Sequence, residues 1–145
     1  MFDELVKKGT PMVLGENLTW VSRSEWKQQQ SKMLAVVKNW EKDWESLDYS
    51  RYIRNYASNF SDGKKSFKAF AEHKRRVNSS KSFIDINLKD LSIYTYPDSD
   101  LMVVSFNQHY KSSNYKGEGL KRQYWQKSNN AWKIAFEGDP SLGIP

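Results

Sequence analysis

The spacing of apolar residues changes once along this chain and divides it into a helical part and a strand part. Between residues 22 and 77, apolar side chains recur at intervals of three, four or seven, which is typical of helices that bury one face. After residues 78–80 the interval falls to two, as Ile84, Ile86 and Leu88 alternate with polar neighbours. Helices followed by strands predict an α+β fold, in which the helices cover one face of an antiparallel sheet.

Capping signals and periodicity predict three helices before the sheet. Ser22 and Glu25 have the spacing of a capping box, so the first helix is expected to begin at Ser22. Asp48 is expected to cap a second helix that reaches Phe60, and a third is expected after residues 61–63. The apolar residues expected on the buried faces are Met33, Val37, Trp40, Trp44, Leu47, Tyr52, Tyr56, Phe60, Phe67 and Phe70.

The strand part predicts a bent sheet of about four long strands. The inward-facing parity shifts between Leu88 and Leu91, which requires an extra residue near Lys89 and Asp90 and predicts a β-bulge there. The strands expected after it run from Leu101 to Lys111, from Gly119 to Lys127 and from Trp132 to Phe136. A bent sheet covered by helices makes a cone, and the mouth of the cone is the expected place for a pocket.

Composition limits the chemistry that the chain can perform. The 145 residues fit one domain, and the absence of Cys excludes disulfides, thiolate nucleophiles and thiolate metal sites. An excess of 23 Lys and Arg over 17 Asp and Glu gives a formal charge of +6, which attracts anionic partners. No signal peptide, membrane span or cofactor motif is predicted from the sequence.

The two histidines carry no predicted metal or catalytic site. His73 and His109 are interpreted as surface residues, because no further ligand stands at metal-binding spacing. Asp85 and His109 are the available carboxylate and imidazole for an acid–base pair, but both have the parity of solvent-facing positions.

The distribution of aromatic and polar residues resembles one family. The pattern consists of Trp40-x-x-x-Trp44, then Asp48, Tyr52 and Tyr56, then Phe106-x-Gln108-x-Tyr110-x-Ser112, Lys121 and Trp132-x-Ile134-x-x-Glu137. It resembles the C-terminal domain of some bacterial L,D-transpeptidase-family proteins, a nuclear transport factor 2-like (NTF2-like) domain. The resemblance implies a lead-in segment at residues 1–21, an NTF2-like cone at residues 22–138 and a tail at residues 139–145.

The resemblance also implies a setting and a role. The catalytic module of that family uses a Cys beside a His, and this chain has no Cys, so the implied role is a non-catalytic accessory domain. It would lie in the periplasm or cell envelope and bind a peptidoglycan fragment or another small ligand, or pair with a second copy through the convex sheet. A small isomerase, dehydratase or hydrolase of the same fold is the first alternative. A nucleic-acid-binding module is the second, although no recognised motif supports it.

Strand parity and charge indicate two candidate sites. The candidate pocket residues are Tyr56, Phe106, Gln108, Tyr110, Lys121, Gln123, Trp125 and Glu137, of which Glu137 is a possible counter-charge for Lys121. The same set also fits a purely structural hydrogen-bond network. Lys74, Arg75 and Arg76 form a candidate surface for an anionic partner, although the dipole of a helix favours cations at that end without any ligand.

Overall fold

The computed structural model describes residues 23–95 and 101–138, which form three helices and one five-stranded sheet. The helices are α1 (Arg23–Glu45), α2 (Tyr49–Ile53) and α3 (Phe67–Ser79). The strands are β1 (Tyr56–Ser61), β2 (Ile84–Thr95), β3 (Leu101–Ser112), β4 (Lys116–Ser128) and β5 (Ala131–Gly138). They lie in the order β1-β5-β4-β3-β2, with β1 parallel to β5 and the other pairs antiparallel. The predicted cap at Ser22, the lead-in at 1–21 and the tail at 139–145 lie outside the described residues.

The long helix α1 forms because its apolar residues share one face. Met33, Val37, Trp40 and Trp44 are all buried, as the helical spacing predicts, and α1 packs against β2. Asp48 caps α2 as expected, since its carboxylate accepts a hydrogen bond from the Arg51 N–H at 3.2 Å. Among the described helices, none combines the length and apolar character needed to cross a bilayer.

The second helix is shorter than the sequence predicts. It ends at Ile53, and the segment from Tyr56 to Ser61 is strand β1, so the prediction of three helices ahead of the sheet is wrong. Tyr56 and Phe60 are four residues apart, a spacing that places both on one face of a helix or of a strand. Pairing with the distant β5 decides between the two, and the Ile134 N–H also donates to the Asn55 carbonyl at 2.7 Å.

The predicted β-bulge is present in β2. The register with β3 shifts between Lys89 and Ser92, and Asp90 has a positive φ of 54°. Ile86 and Ile93 are therefore both buried although their parity differs. The extra residue lets the apolar side chains on both sides of the bulge face the helices.

Two hydrophobic clusters hold the domain together. The main cluster lies between the helices and the inner face of the sheet, where Trp40 packs against Trp44 and Phe106 with ring centroids 5.3 and 5.9 Å away. A smaller cluster of Val103 and Tyr124 lies on the opposite, outer face. The aromatic residues of the helices therefore fill the hollow of the bent sheet.

Candidate ligand-binding pocket

A cavity of about 580 Å³ lies between α3 and the β3–β4 hairpin. The end of α1 contributes Trp44 to its wall, and Tyr110 and Tyr115 contribute two further aromatic rings. These rings lie 5.3 Å (Trp44 to Tyr110) and 5.9 Å (Tyr110 to Tyr115) apart between centroids. The pocket therefore has a nearly continuous aromatic wall.

Three lysines make the pocket electropositive. The Nζ atoms of Lys74 and Lys121 lie 5.2 and 5.5 Å from the centroid of the Trp44 ring, and Lys81 Nζ lies 5.9 Å from the Tyr110 ring. Cations at these distances are attracted by the negative faces of aromatic rings. The acidic residue among the described lining residues is Glu118, whose carboxylate lies 3.0 Å from His109 Nδ1. The lysines thus leave a net positive charge in the cavity.

Two polar atoms at the pocket wall lack partners. Trp44 Nε1 and Gln108 Oε1 are both shielded from solvent, and neither forms a hydrogen bond with the described part of the chain. Trp44 as a whole is only 3% exposed. Buried donors and acceptors are nearly always paired, so these two atoms are unsatisfied polar groups in the wall of the cavity.

A buried carboxylate, Glu137, lies beneath the pocket. It is 4% exposed and accepts hydrogen bonds from Gln123 Nε2 at 2.7 Å and from the Tyr56 hydroxyl at 3.1 Å. Lys121 Nζ lies 3.7 Å from its other oxygen. The carboxylate therefore holds Lys121 at the floor of the cavity.

The hydrogen bonds continue from Glu137 into the core. Trp125 Nε1 donates to Gln123 Oε1 at 3.0 Å, and Trp40 Nε1 donates to the Tyr56 oxygen at 3.1 Å. Because the Tyr56 proton is directed to Glu137, Tyr52 is the donor in the 3.0 Å contact between the two hydroxyls. Burial and then the charge of Glu137 raise the pKa of both tyrosines well above its ordinary value, so both stay protonated donors.

The eight predicted pocket residues fall into two layers. Gln108, Tyr110 and Lys121 line the cavity. The other five are buried below it and belong to the core or to the hydrogen-bond network, and they are Tyr56, Phe106, Gln123, Trp125 and Glu137. As folded, the lower layer supports the pocket without opening into it.

The three residues of the predicted cationic surface do not lie together in the structure. Lys74 lines the cavity, whereas Arg75 is exposed and paired with Glu72 at 2.8 Å, and Arg76 is exposed. Lys74 follows Phe70 by four residues and precedes Val77 by three, so all three share one face of α3. This spacing in the sequence indicates that Lys74 lies on the same face of α3 as the two apolar residues.

The pocket also contains residues that the sequence did not indicate. They are Trp44, Val77, Asn78, Lys81, Asn114, Tyr115, Gly117 and Glu118. Most belong to the end of α3 and to the tip of the β3–β4 hairpin. These two regions come together only because α3 packs beside the hairpin in the folded chain. Lys81 bridges these two regions through a hydrogen bond to Asn114.

The histidine positions agree with their interpretation as surface residues. His73 is exposed, and His109 contacts Glu118 across the β3–β4 ladder. Asp85 pairs in register with Lys111, and His109 with Asn87, so Asp85 and His109 are not directly opposite each other. Within residues 23–95 and 101–138, no group of three or more Asp, Glu, His or Cys side chains is arranged to hold a metal ion.

Comparison with known proteins identifies the fold family. Residues 32–138 match the family model described as the Cds6 C-terminal NTF2-like domain. The chain belongs to this family. The predicted NTF2-like α+β fold is therefore confirmed, with the strand β1 added between the second and third helices.

Solved structures of larger proteins contain a similar domain. Bd1075 of Bdellovibrio bacteriovorus aligns with a TM-score of 0.72 and 27% identity over 82% of this chain and 42% of its own. The K307A mutant of Pgp2, a helical cell shape determining protein from Campylobacter jejuni, aligns with a TM-score of 0.70 and 22% identity. That alignment covers 94% of this chain and 51% of Pgp2. This chain thus spans about half the length of these proteins or less.

The fold also occurs in smaller proteins. An NTF2-like protein of unknown function from Pseudomonas putida aligns with a TM-score of 0.66 and 13% identity over 77% of this chain and 85% of its own. At this identity the likeness concerns the fold alone. No curated protein matches the sequence.

Replacing Glu137 tests the network beneath the pocket. Glu137→Leu should lower the free energy of unfolding by about 3 kcal/mol, because it leaves buried donors of Gln123, Tyr56 and Lys121 without their acceptor. Urea denaturation measures the loss. Glu118→Gln, at an exposed carboxylate, is the control and should change stability by less than about 0.5 kcal/mol. Equal small effects of the two substitutions would contradict the network.

Burial and the nearby charge of Lys121 lower the pKa of Lys74 from its ordinary value of 10.5 to about 8. Between these two values the unfolded chain binds the proton that the folded chain has released, so folding stability rises with pH through this window. Below this pH window Lys74 is charged in both the folded and the unfolded chain, and its charged form destabilises the folded state. Lys74→Met should therefore stabilise the protein at pH 7 by on the order of 1 kcal/mol and remove this pH dependence.

Unfolding curves between pH 7 and about 10.5, taken for the parent chain and the variant, measure the difference. Lys68→Met, at an exposed position of the same helix, is the matched control. A constant stability difference between the parent chain and Lys74→Met across this range would show that Lys74 does not titrate in this way.

Proposed function

We propose that this chain is a non-catalytic accessory domain of a cell-envelope protein of the L,D-transpeptidase type, and that its pocket binds an anionic peptidoglycan fragment. The observation that carries the proposal is the pair of ammonium groups, Lys74 and Lys121, beside the same Trp44 ring in the 580 Å³ cavity. The nearby carboxylate of Glu137 already has two neutral donors, and its contact with Lys121 is a longer 3.7 Å. Both amines therefore retain N–H groups for a ligand.

The chemistry of a peptidoglycan fragment suits these groups. Stem peptides end in carboxylates, which pair with lysine ammonium groups in a partly desolvated site. Their amide N–H groups match the unpartnered Gln108 Oε1, and their carboxylate oxygens match the unpartnered Trp44 Nε1. Sugar rings stack on aromatic faces such as those of Trp44 and Tyr110.

The relatives support a setting in the periplasm or cell envelope. Pgp2 is named as a cell shape determining protein, and bacterial shape is maintained by the peptidoglycan wall. The sequence pattern from Trp40 to Glu137 resembles the corresponding domain of L,D-transpeptidase-family proteins. Because this chain has no Cys, a thiolate-dependent transpeptidation would belong to a separate module.

The alternative of a small isomerase, dehydratase or hydrolase requires a carboxylate or imidazole group that faces the ligand. Among the described residues that line the pocket, the acidic one is Glu118, which pairs with His109, and none is His. Glu137 is enclosed below the floor with its oxygens occupied. This arrangement favours binding over proton transfer.

The nucleic-acid alternative requires cations spread along a surface that follows a phosphate backbone. Here Lys74, Lys81 and Lys121 converge on one cavity instead. The arrangement favours a small anionic ligand over a polymer of phosphates.

Titration with a soluble muropeptide tests the binding proposal. Amide chemical shifts of the pocket residues and Trp fluorescence should change with added ligand, and Lys74→Met or Lys121→Met should each weaken binding at least about tenfold. Lys68→Met is the control for total charge, and a muropeptide with amidated carboxylates is the control for ligand charge. Unchanged shifts and fluorescence at millimolar muropeptide, or equal affinity for the amidated form, would contradict the proposal.

We also propose that the outer face of the sheet joins two copies of this chain. Leu120 is 61% exposed on that face, and covering it with a second copy would remove its apolar side chain from water. Light scattering should then report a dimer for the parent chain and a monomer for Leu120→Lys. Leu34→Lys, which changes a 36% exposed leucine on α1, should leave the dimer intact. A monomeric parent chain at high protein concentration would refute this role.

A further inference from the structure

Lys74 differs from Lys68, the other lysine of α3, in its surroundings. Its Nζ atom lies 5.2 Å from the centroid of the Trp44 ring and 5.8 Å from that of Phe70. Over the residues that the structure describes, its amine has neither a hydrogen bond nor an ion pair. Lys68, six residues earlier on the helix, is exposed to solvent. Lys74 is therefore a cavity-lining amine enclosed by rings.

Charged groups from three neighbouring parts of the chain act on Lys74. Lys121 faces it from β4 and Glu137 from β5, while Asp62 and Lys65 lie in the segment between β1 and α3. Burial and Lys121 lower the pKa of Lys74 more strongly than the two carboxylates raise it, which brings it to about 8. At pH 7 roughly a tenth of such an amine is neutral, against well under a thousandth of an ordinary lysine. The neutral amine is the nucleophilic form.

We propose that Lys74 is a nucleophilic amine that forms an imine with small 2-oxo acids that enter the pocket. The cavity of about 580 Å³ has room for such a molecule. Its carboxylate would pair with the ammonium of Lys121, beside the unpartnered Trp44 Nε1. A second cationic group beside a lysine is a known way of activating it, because each charge disfavours the other. This covalent step goes beyond the non-catalytic binding role proposed above.

The reaction balances without an oxidant or reductant. The lone pair of Lys74 Nζ attacks the carbonyl carbon, and the electron pair of the C=O bond moves to oxygen, which takes up a proton. The nitrogen loses a proton to solvent, which gives a neutral carbinolamine. Its hydroxyl group takes up a proton and leaves as water while the nitrogen lone pair forms the C=N bond, and the resulting iminium loses its N–H proton to give the imine. The products are one imine and one water molecule from one amine and one 2-oxo acid.

Reductive trapping with pyruvate tests the proposal. The unaltered chain is incubated at pH 7 with pyruvate and sodium cyanoborohydride, and peptide mass spectrometry follows the adduct at each lysine. Lys74 should be labelled at least about tenfold faster than Lys68, since far more of it is neutral. The ratio of the two rates should fall as the pH approaches about 10.5, where Lys68 also becomes neutral.

Two variants and a second probe sharpen the test. Lys74→Arg keeps the charge and should abolish the fast adduct, and Lys121→Met should slow labelling of Lys74 but not of Lys68. Acetone has the carbonyl group without the carboxylate, so its ratio of Lys74 to Lys68 labelling should be smaller than the ratio for pyruvate.

Equal labelling of Lys74 and Lys68 in the unaltered chain would overturn the proposal, and this comparison requires no variant to fold. Equal ratios of Lys74 to Lys68 labelling for acetone and pyruvate would overturn the assignment to 2-oxo acids. The experiment contains no muropeptide, so its failure would leave the binding proposal standing, and loss of muropeptide binding would leave the labelling result intact.

Discussion

The fold depends on giving a buried carboxylate enough partners. Glu137 lies in an aromatic interior, where an unpaired charge would cost several kcal/mol, on the order of what stabilises a whole domain. Its partners come from separate parts of the chain, with Tyr56 on β1 and Gln123 and Lys121 on β4. The carboxylate therefore requires that β5 lie between these two strands. The order of the strands is therefore what supplies the buried carboxylate with hydrogen-bond donors from both sides.

This arrangement also explains why the pocket above is positive. The neutral donors of Gln123 and Tyr56 satisfy much of Glu137, so it holds Lys121 without fully neutralising it. Lys74 lies beside the same Trp44 ring and, over residues 23–95 and 101–138, forms no ion pair with an acid. The carboxylate of Glu137 lies below the floor, whereas the amines of Lys74 and Lys121 line the cavity. An anion that enters the cavity meets the amines first and is separated from the carboxylate by packed side chains.

The parts of the fold that the sequence predicted are those set by local spacing. The inward face of α1, the alternation of β3 and the bulge at Asp90 each follow from residues within a few positions of one another. Strand β1 was missed because Tyr56 and Phe60 satisfy a helix and a strand equally, and the choice is made by pairing with β5. Of the pocket, strand parity indicated Gln108, Tyr110 and Lys121. The remaining wall depends on the docking of α3 against a hairpin, which no local pattern records.

The parallel pairing of β1 with β5 has a consequence for how the chain is made. β1 is synthesised early, yet the strand beside it is the last one of the described sheet. Until β5 leaves the ribosome, β1 lacks its neighbouring strand in the sheet, and the hydroxyl of Tyr56 lacks the carboxylate to which it donates in the folded protein. Completion of the cone is therefore a late event that awaits its C-terminal strand, and the nascent domain cannot present a finished pocket before then.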